Sequence, residues 1–270
     1  MFYDLSSIKF AIEKLKEFKS KSNYKFHERY FFPYLCGTYF TYRKIDTLRI
    51  SRIAYSVNKE KEKIKYVDVG CGNGDFLEKI REFIPNAKGI EKNINLFYSI
   101  GRSKPRYIDF YDTKYGLYED YDLVFVGWMD PGEDFRDEIS IKTEIVITTL
   151  DEGLSLAAEY EGHGYEKLAE WITPSWEDVN FSLANKYYSG FDNKLIEFLS
   201  DLRGSHNYWY IYCKNEKKSE LIKKTLMAQV EAEKAFGKSV TYEFEQVLDE
   251  LGFGFLEKIN DKRLWEIKFF

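Results

Sequence analysis

The sequence is poor in cysteine and histidine. Its 270 residues include three of each. The three cysteines are far apart, at Cys36, Cys71 and Cys213, and the histidines are equally isolated, at His27, His163 and His206. A disulfide framework or a CxxC metal site requires more cysteines or closer spacing. We therefore expect reduced thiols, no metal and no catalytic histidine.

Long hydrophobic runs are also missing. The first twenty residues carry a charge every few positions and lack the apolar core of a secretion signal. No window reaches the roughly 20 apolar residues that a bilayer crossing needs. We therefore expect a cytoplasmic location and no membrane partner.

Hydrophobic residues make up 44% of the chain and aromatic residues 18%, which is enough for a large globular core. The formal net charge of -5 is unevenly divided. Residues 1–65 hold 15 Lys and Arg against 7 Asp and Glu, whereas residues 111–161 hold 3 against 14. The basic segment predicts either a solvated helix face or an arm that binds phosphate, so nucleic acid stays open as a partner. The acidic segment favours amines or cationic side chains.

Residues 1–60 predict a helical extension without a strand, because apolar residues recur at helical spacing in 4–20 and again in 43–58. Short β-rich runs then alternate with helical ones. The predicted strands are 64–69, 87–91, 106–110, 121–128 and 144–150, and the intervening helices are 75–84 and 93–102. This alternation is typical of a parallel sheet with both faces covered.

Residues 153–212 interrupt the alternation with glycines, a proline and many aromatic residues. We expect an insertion there, ending in a strand at 207–214, within an α/β domain that spans 61–270. Two helices and an antiparallel hairpin are predicted beyond the insertion, at 217–235, 241–251, 254–260 and 262–270.

A glycine-rich loop, Gly70-Cys71-Gly72-Asn73-Gly74, separates the first predicted strand from a helix. Glycines let the backbone turn tightly and let a ligand approach it closely, and a helix N-terminus offers free N–H groups. Glu91 ends the next strand, 21 residues after Gly70. A carboxylate in that place can accept hydrogen bonds from both hydroxyls of a ribose. The loop and Glu91 together predict a ligand that contains a nucleoside.

The spacing does not match the dinucleotide fingerprint G-x-G-x-x-G, because Asp75 occupies the sixth position. Asp68 lies two residues before Gly70. The pattern acid-x-Gly-x-Gly-x-Gly resembles the first motif of the class I S-adenosylmethionine-dependent methyltransferases. The resemblance covers roughly 64–150 and 241–270. It implies a Rossmann-like α/β fold with a seven-stranded, mostly parallel sheet, a C-terminal antiparallel hairpin, and S-adenosylmethionine as cofactor.

The resemblance also implies roles for individual residues. Asp68 would supply negative charge for the ammonium group of the cofactor, and Glu91 would bind its ribose. Asp109, with Asp112 as the alternative, would lie near the adenine amino group, and Phe110 would flank the adenine ring. The full cofactor-binding set implied is Asp68, Gly70, Cys71, Gly72, Asn73, Gly74, Glu91, Asp109, Phe110 and Gly127.

The segment after the fourth predicted strand, 127–135, would face the reacting methyl group. Its Asp130-Pro131-Gly132 resembles the Asp-Pro-Pro-aromatic motif of amino-methylating DNA and RNA enzymes, although Gly132 replaces the second proline. Asp130 is the candidate catalytic residue, since a carboxylate there can orient a target amine. The alternative is a simple turn after a buried strand.

Aromatic residues of 153–212 can stack a base or cage an amine, but we assign them to the core; they include Trp171, Trp176 and Tyr187. We therefore expect a methyltransferase that acts on a small-molecule or protein amine. A nucleic-acid methyltransferase and a non-catalytic binding protein of the same fold remain as alternatives.

Overall fold

The computed structural model describes residues 42–72, 74–93, 103–112, 116–127, 129, 133–150, 159–173, 208–236 and 266–270. Eight strands in these ranges form one mixed sheet. They are β1 (Tyr66–Val69), β2 (Lys88–Glu91), β3 (Ile108–Phe110), β4 (Leu123–Val126), β5 (Ile145–Leu150), β6 (Glu166–Ile172), β7 (Tyr208–Cys213) and β8 (Lys268–Phe269).

The strands follow the order β3-β2-β1-β4-β5-β7-β6-β8 across the sheet. All neighbours from β3 to β5 run parallel, and the pairs β5–β7, β7–β6 and β6–β8 are antiparallel. The predicted mixed α/β fold, parallel first and antiparallel afterwards, is confirmed.

Of the three antiparallel strands, β7 and β8 lie within the predicted strands 207–214 and 262–270, whereas β6 is not predicted from the sequence. β6 and nearly all of β7 fall within 153–212, so that segment contributes two strands to the sheet. The C-terminal residues add β8 beside β6, which brings the count to eight strands where seven were predicted. The predicted helices at 4–20, 93–102 and 241–251, and the predicted strand at 254–260, lie outside the described residues.

The described helices are α1 (Lys44–Val57), α2 (Asp75–Arg81), α3 (Arg136–Ser140) and α4 (Glu216–Phe236). Three of the four described helices match predicted ones within a few residues, and the short helix α3 is not predicted from the sequence. Single 3-10 turns lie at Lys61–Lys63 and Glu161–His163. None of the helices in the described ranges has the length and apolar character that a bilayer crossing demands.

The central strands are buried on both sides because their sequences are almost entirely apolar. β4 reads LVFV and β1 reads YVDV, and all of these residues are buried. Successive residues point to opposite faces of the sheet. One face presents Tyr66, Asp68 and Phe125, and the other presents Val67 and Val124. A charged residue, Asp68, is therefore buried in the middle of the sheet.

Aromatic residues fill the core on the Tyr66 face. Trp171 is 1% exposed, and its ring stacks on Trp209 at 5.7 Å between centroids. Trp209 in turn contacts Phe125 and Phe76. The assignment of Trp171 to the core is confirmed, while Trp176 and Tyr187 lie outside the described residues.

Helix α1, in the basic N-terminal segment, belongs to the same core. Arg49 donates to Glu233 of α4 at 2.6 Å, with both side chains almost fully buried. Arg43 pairs with Asp46, and Asp46 also accepts a hydrogen bond from the Trp171 indole at 2.8 Å. Two positive charges of the basic segment, those of Arg43 and Arg49, therefore form ion pairs in the protein interior.

Candidate functional site

The glycine loop is held against the end of β2. The N–H groups of Gly70 and Cys71 both donate to the carbonyl of Ile90, at 2.9 and 3.1 Å. Gly70, Gly72 and Gly74 have φ angles of 71°, 57° and 78°, in the left-handed region where side chains are strained. The sequence therefore needs glycine at each of these three positions to make the turn.

Gly74 is restricted by its surroundings as well as by its φ angle. A Cβ at this position would lie 2.4 Å from Cδ1 of Ile108 on β3. The loop thus passes close over the sheet before α2 begins at Asp75.

The Cys71 side chain points into the core and not toward a ligand. Its thiol lies 2.6 Å from the place where a Cβ on Gly89 would be, so Gly89 makes the room that the thiol occupies. Burial, with smaller contributions from nearby acids, raises the pKa of the Cys71 thiol well above its ordinary value. Cys71 and Cys213 are free, buried thiols, and Cys36 lies outside the described residues. Cys71 can serve a ligand only through its backbone.

Glu91 is buried and binds the glycine loop directly. Its Oε2 accepts a hydrogen bond from the N–H of Gly72 at 2.8 Å, and its Oε1 accepts one from the N–H of Asn93 at 2.8 Å. Each carboxylate oxygen can accept more than one hydrogen bond. Glu91 can therefore hold the loop and still accept hydrogen bonds from a ligand.

Asp68 is the second buried acid, with only 2% of its surface exposed. Among the described residues, no donor lies within hydrogen-bond distance of its Oδ1. Burial raises the pKa of Asp68 well above its usual range, and the negative charges of Asp75 and Glu91 raise it further. Asp75, the first residue of α2, is also buried. We call Asp68, Asp75 and Glu91 the loop acids.

The sequence predicts two of the loop acids, Asp68 and Glu91, as site residues, and it does not predict the third, Asp75. Asp75 was noted only as the residue that breaks the dinucleotide fingerprint. Its position one residue after the last glycine of the loop was the available signal, since a helix N-terminus stabilises an acidic side chain.

Phe110 of β3 lies on the same face of the sheet as Asp68 and Glu91. Phe110 is in register with Glu91, and Asp109 is in register with Ile90, so Asp109 lies on the opposite face. The Phe110 ring is half-buried, and the ammonium group of Lys104 lies 5.4 Å from its centroid. Asp112 lies two residues past the end of β3 and is exposed.

The segment after β4 is described only in part. Gly127 is buried, and its carbonyl accepts a hydrogen bond from the Thr149 hydroxyl at 3.2 Å. Glu133 forms an ion pair with Lys92 at 2.7 Å. Because β1 lies between β2 and β4, this pair links the segments on either side of the β1 carboxyl end. Asn73 and the candidate catalytic residue Asp130 lie outside the described residues.

Comparison with known proteins finds similarity in structure alone. No family model matches the chain, and no curated protein does. An amino pentose methyltransferase from Micromonospora echinaspora with bound S-adenosylmethionine is 15% identical, with a TM-score of 0.32, over 38% of this chain and 49% of that one. The match thus spans about half the length of that protein.

Two further structures match a larger share of both chains. Magnesium protoporphyrin IX methyltransferase from Synechocystis PCC 6803 is 10% identical, with a TM-score of 0.42, over 63% of this chain and 78% of that one. An S-adenosylmethionine-dependent methyltransferase from Archaeoglobus fulgidus is 15% identical, with a TM-score of 0.38, over 64% and 94%.

At such identities and TM-scores these matches carry no inference about activity, and the fold assignment rests on the sheet itself. Five parallel strands in the order β3-β2-β1-β4-β5 are extended by the antiparallel strands β7 and β6, and the glycine loop follows β1. The chain therefore has a Rossmann-like α/β fold.

Proposed function

We propose that the chain is an S-adenosylmethionine-dependent methyltransferase. The observation that carries this proposal is the set of loop acids, three buried carboxylates around a loop whose glycines leave the backbone open to a ligand. Buried carboxylates that repel one another favour a cationic ligand. S-adenosylmethionine brings a sulfonium and an ammonium group, whereas the pyrophosphate of a dinucleotide would be repelled.

The residues of the site fit the cofactor part by part. Oδ1 of Asp68, which has no hydrogen-bond partner among the described residues, suits the ammonium group, and the remaining acceptor positions of Glu91 suit the ribose hydroxyls. Phe110, on the same face of the sheet, suits one side of the adenine ring. Of the two acids considered for the adenine amino group, Asp112 lies beyond the end of β3, whereas Asp109 lies on the far face. We therefore favour Asp112.

When bound, the cofactor would supply an electrophilic methyl group to a neutral amine: the new C–N bond would form as the C–S bond of the sulfonium breaks, and the amine proton would go to solvent. The protein has to hold the acceptor in line with that methyl group and exclude water. We assign the orienting role to Asp130, and this assignment rests on the sequence.

We propose an amine, on a small molecule or a protein, as the methyl acceptor. The support is the acidic segment 111–161, since negative charge near the site attracts a protonated amine and repels phosphate. Nucleic acid is the second candidate acceptor, supported by the basic segment 1–65. That support is reduced because Arg43 and Arg49 are buried in ion pairs.

Calorimetry with S-adenosylmethionine and, separately, with NAD tests the cofactor. We expect binding of the first and none of the second. Asp68→Asn should weaken binding about tenfold or more, because a charge-assisted contact to the ammonium group is lost. Asp120→Asn, at an exposed acid, is the matched control and should bind like the wild type. Absence of binding by the folded wild-type protein would overturn the proposal.

A labelled-methyl transfer screen against cell extract, divided into RNA, DNA, protein and small molecules, tests the acceptor. Label in the protein or small-molecule fraction supports the amine proposal. Label in RNA or DNA, with salt-dependent retention of the protein on that nucleic acid, supports the second candidate. Cofactor binding with no labelled fraction would favour a non-catalytic binding protein.

A further inference from the structure

Two buried polar atoms lie on the same face of β1 without partners. Tyr66 is 1% exposed, and Asp68 follows it two positions later, so both side chains point to the same side of the sheet. In the described ranges, neither the Tyr66 hydroxyl nor Oδ1 of Asp68 has a hydrogen-bond partner. Buried polar atoms in proteins are nearly always satisfied by protein or by ordered water.

The two groups are close enough to influence each other. Burial raises the pKa of Tyr66 well above its usual value, and the negative charge of Asp68 is the second cause. The other titratable groups that face Asp68 are Cys71, Asp75 and Glu91. Asp75 and Glu91 are acids, so among the described titratable groups that face Asp68 the Tyr66 hydroxyl and the Cys71 thiol are the donors. The thiol is the weaker donor.

We propose that Tyr66 is a positioning residue of the cofactor site: its hydroxyl donates through one buried water to Oδ1 of Asp68 and holds that carboxylate ready for the ammonium group of the ligand. This inference rests on the proposed function. Tyr66 precedes Asp68 on β1, and the glycine loop lies beyond the carboxyl end of that strand. Tyr66 therefore acts on the ligand only through Asp68.

The buried Tyr66 hydroxyl can have one of two roles. If the Tyr66 hydroxyl makes no hydrogen bond toward Asp68, Tyr66→Phe leaves the pKa of Asp68 unchanged. If it donates toward Asp68, phenylalanine removes a hydrogen bond that stabilises the ionised carboxylate, and Asp68 then ionises at higher pH. The pH dependence of binding distinguishes these roles, whereas a change in stability alone does not.

Tyr66→Phe is the test variant, and Tyr160→Phe is its matched control. Tyr160 is equally buried, and its hydroxyl also has no hydrogen-bond partner among the described residues, but its ring packs with Tyr165 and Tyr212 on the other face of the sheet. S-adenosylmethionine binding is measured by calorimetry across pH for both variants and the wild type. We expect the midpoint for Tyr66→Phe to rise by about one pH unit, which is about tenfold weaker binding below the midpoint. Tyr160→Phe should follow the wild type.

A second measurement does not require the cofactor. Because the folded-state pKa of Asp68 is raised, its contribution to stability is largest in acid and is lost as the pH rises through that pKa. Tyr66→Phe should extend this loss to higher pH, and in an Asp68→Asn background it should leave the pH profile unchanged. Equal pH profiles for Tyr66→Phe and the wild type would overturn the inference. If the wild type binds no cofactor while the unfolding profiles differ as expected, the proposed function fails and the link between Tyr66 and Asp68 stands.

Discussion

Glu91 provides the sharpest test of how the glycine loop is held. In the free protein its carboxylate accepts hydrogen bonds from the N–H groups of Gly72 and Asn93, each at 2.8 Å. Glu91→Ala removes both acceptors. The Gly72 N–H bond is buried, and an unsatisfied buried donor costs about 1–3 kcal/mol. Asn93 is exposed, so its N–H can turn to water at little cost. We expect the free energy of unfolding to fall by about 1–3 kcal/mol.

Glu91→Gln separates the structural role from the role in binding. The side-chain amide oxygen can still accept the hydrogen bond from the Gly72 N–H. The amide NH2 then faces the N–H of exposed Asn93, which can bond to water instead. The stability of this variant should therefore lie within about 1 kcal/mol of the wild type. Its affinity for S-adenosylmethionine should still fall about tenfold, because the ribose hydroxyls lose an ionised acceptor.

Chemical denaturation without ligand and calorimetry with S-adenosylmethionine measure the two effects independently. Glu62→Ala, at an exposed position in the turn before β1, is the matched control and should leave both unchanged. The reasoning is refuted if Glu91→Ala unfolds like the wild type, because the loop then does not depend on the carboxylate. It is also refuted if Glu91→Gln binds the cofactor with wild-type affinity.

Three further predictions concern the loop acids, the loop glycines and the buried ion pair. Because the folded-state pKa of Asp68 is raised, the stability that this group contributes to the free protein should fall as the pH rises through that pKa. Cofactor binding, measured by calorimetry across the same pH range, should strengthen as Asp68 ionises. Gly74→Ala should destabilise the protein by more than the roughly 1–2 kcal/mol of a left-handed backbone, since its Cβ also meets an isoleucine methyl; Gly164→Ala, with a φ of 82° and open space around it, measures the backbone cost alone. Glu233→Ala should lower the free energy of unfolding by about 3–5 kcal/mol in chemical denaturation by removing the carboxylate that forms the ion pair with buried Arg49, whereas Arg49→Met combined with Glu233→Leu should be nearly neutral.

The sequence predicted the parallel half of the sheet well because its strands are short apolar runs bounded by glycine, proline or charge. β4 and β5 are buried along most of their length, so their sequences have few alternatives to a central strand. β6 was missed for the opposite reason. Its sequence EKLAEWI lies near the edge of the sheet with one face only partly buried, and its charged residues resemble those of a loop.

Of the predicted C-terminal hairpin, the second strand at 262–270 contains β8, and the first strand at 254–260 lies outside the described residues. The C-terminal residues do carry a strand, but β8 is a short edge strand beside β6. Strand propensity identifies a segment that can pair, and it does not identify the partner, because pairing depends on which edge of the sheet is open when the chain returns.

In the candidate site too, some features follow from the local sequence and others depend on tertiary contacts. The sequence by itself determined the loop, because three positive φ angles need three glycines, and it identified Asp68 and Glu91 by their places before the loop and at the end of the next strand. Only the tertiary structure decided that Asp75 joins them in burial and that Oδ1 of Asp68 lacks a partner among the described residues. The tertiary structure also decided that Arg49 meets Glu233 across 184 residues of sequence. Backbone conformation is set by neighbouring residues, whereas burial, charge repulsion and hydrogen-bond partners depend on segments that only folding brings together.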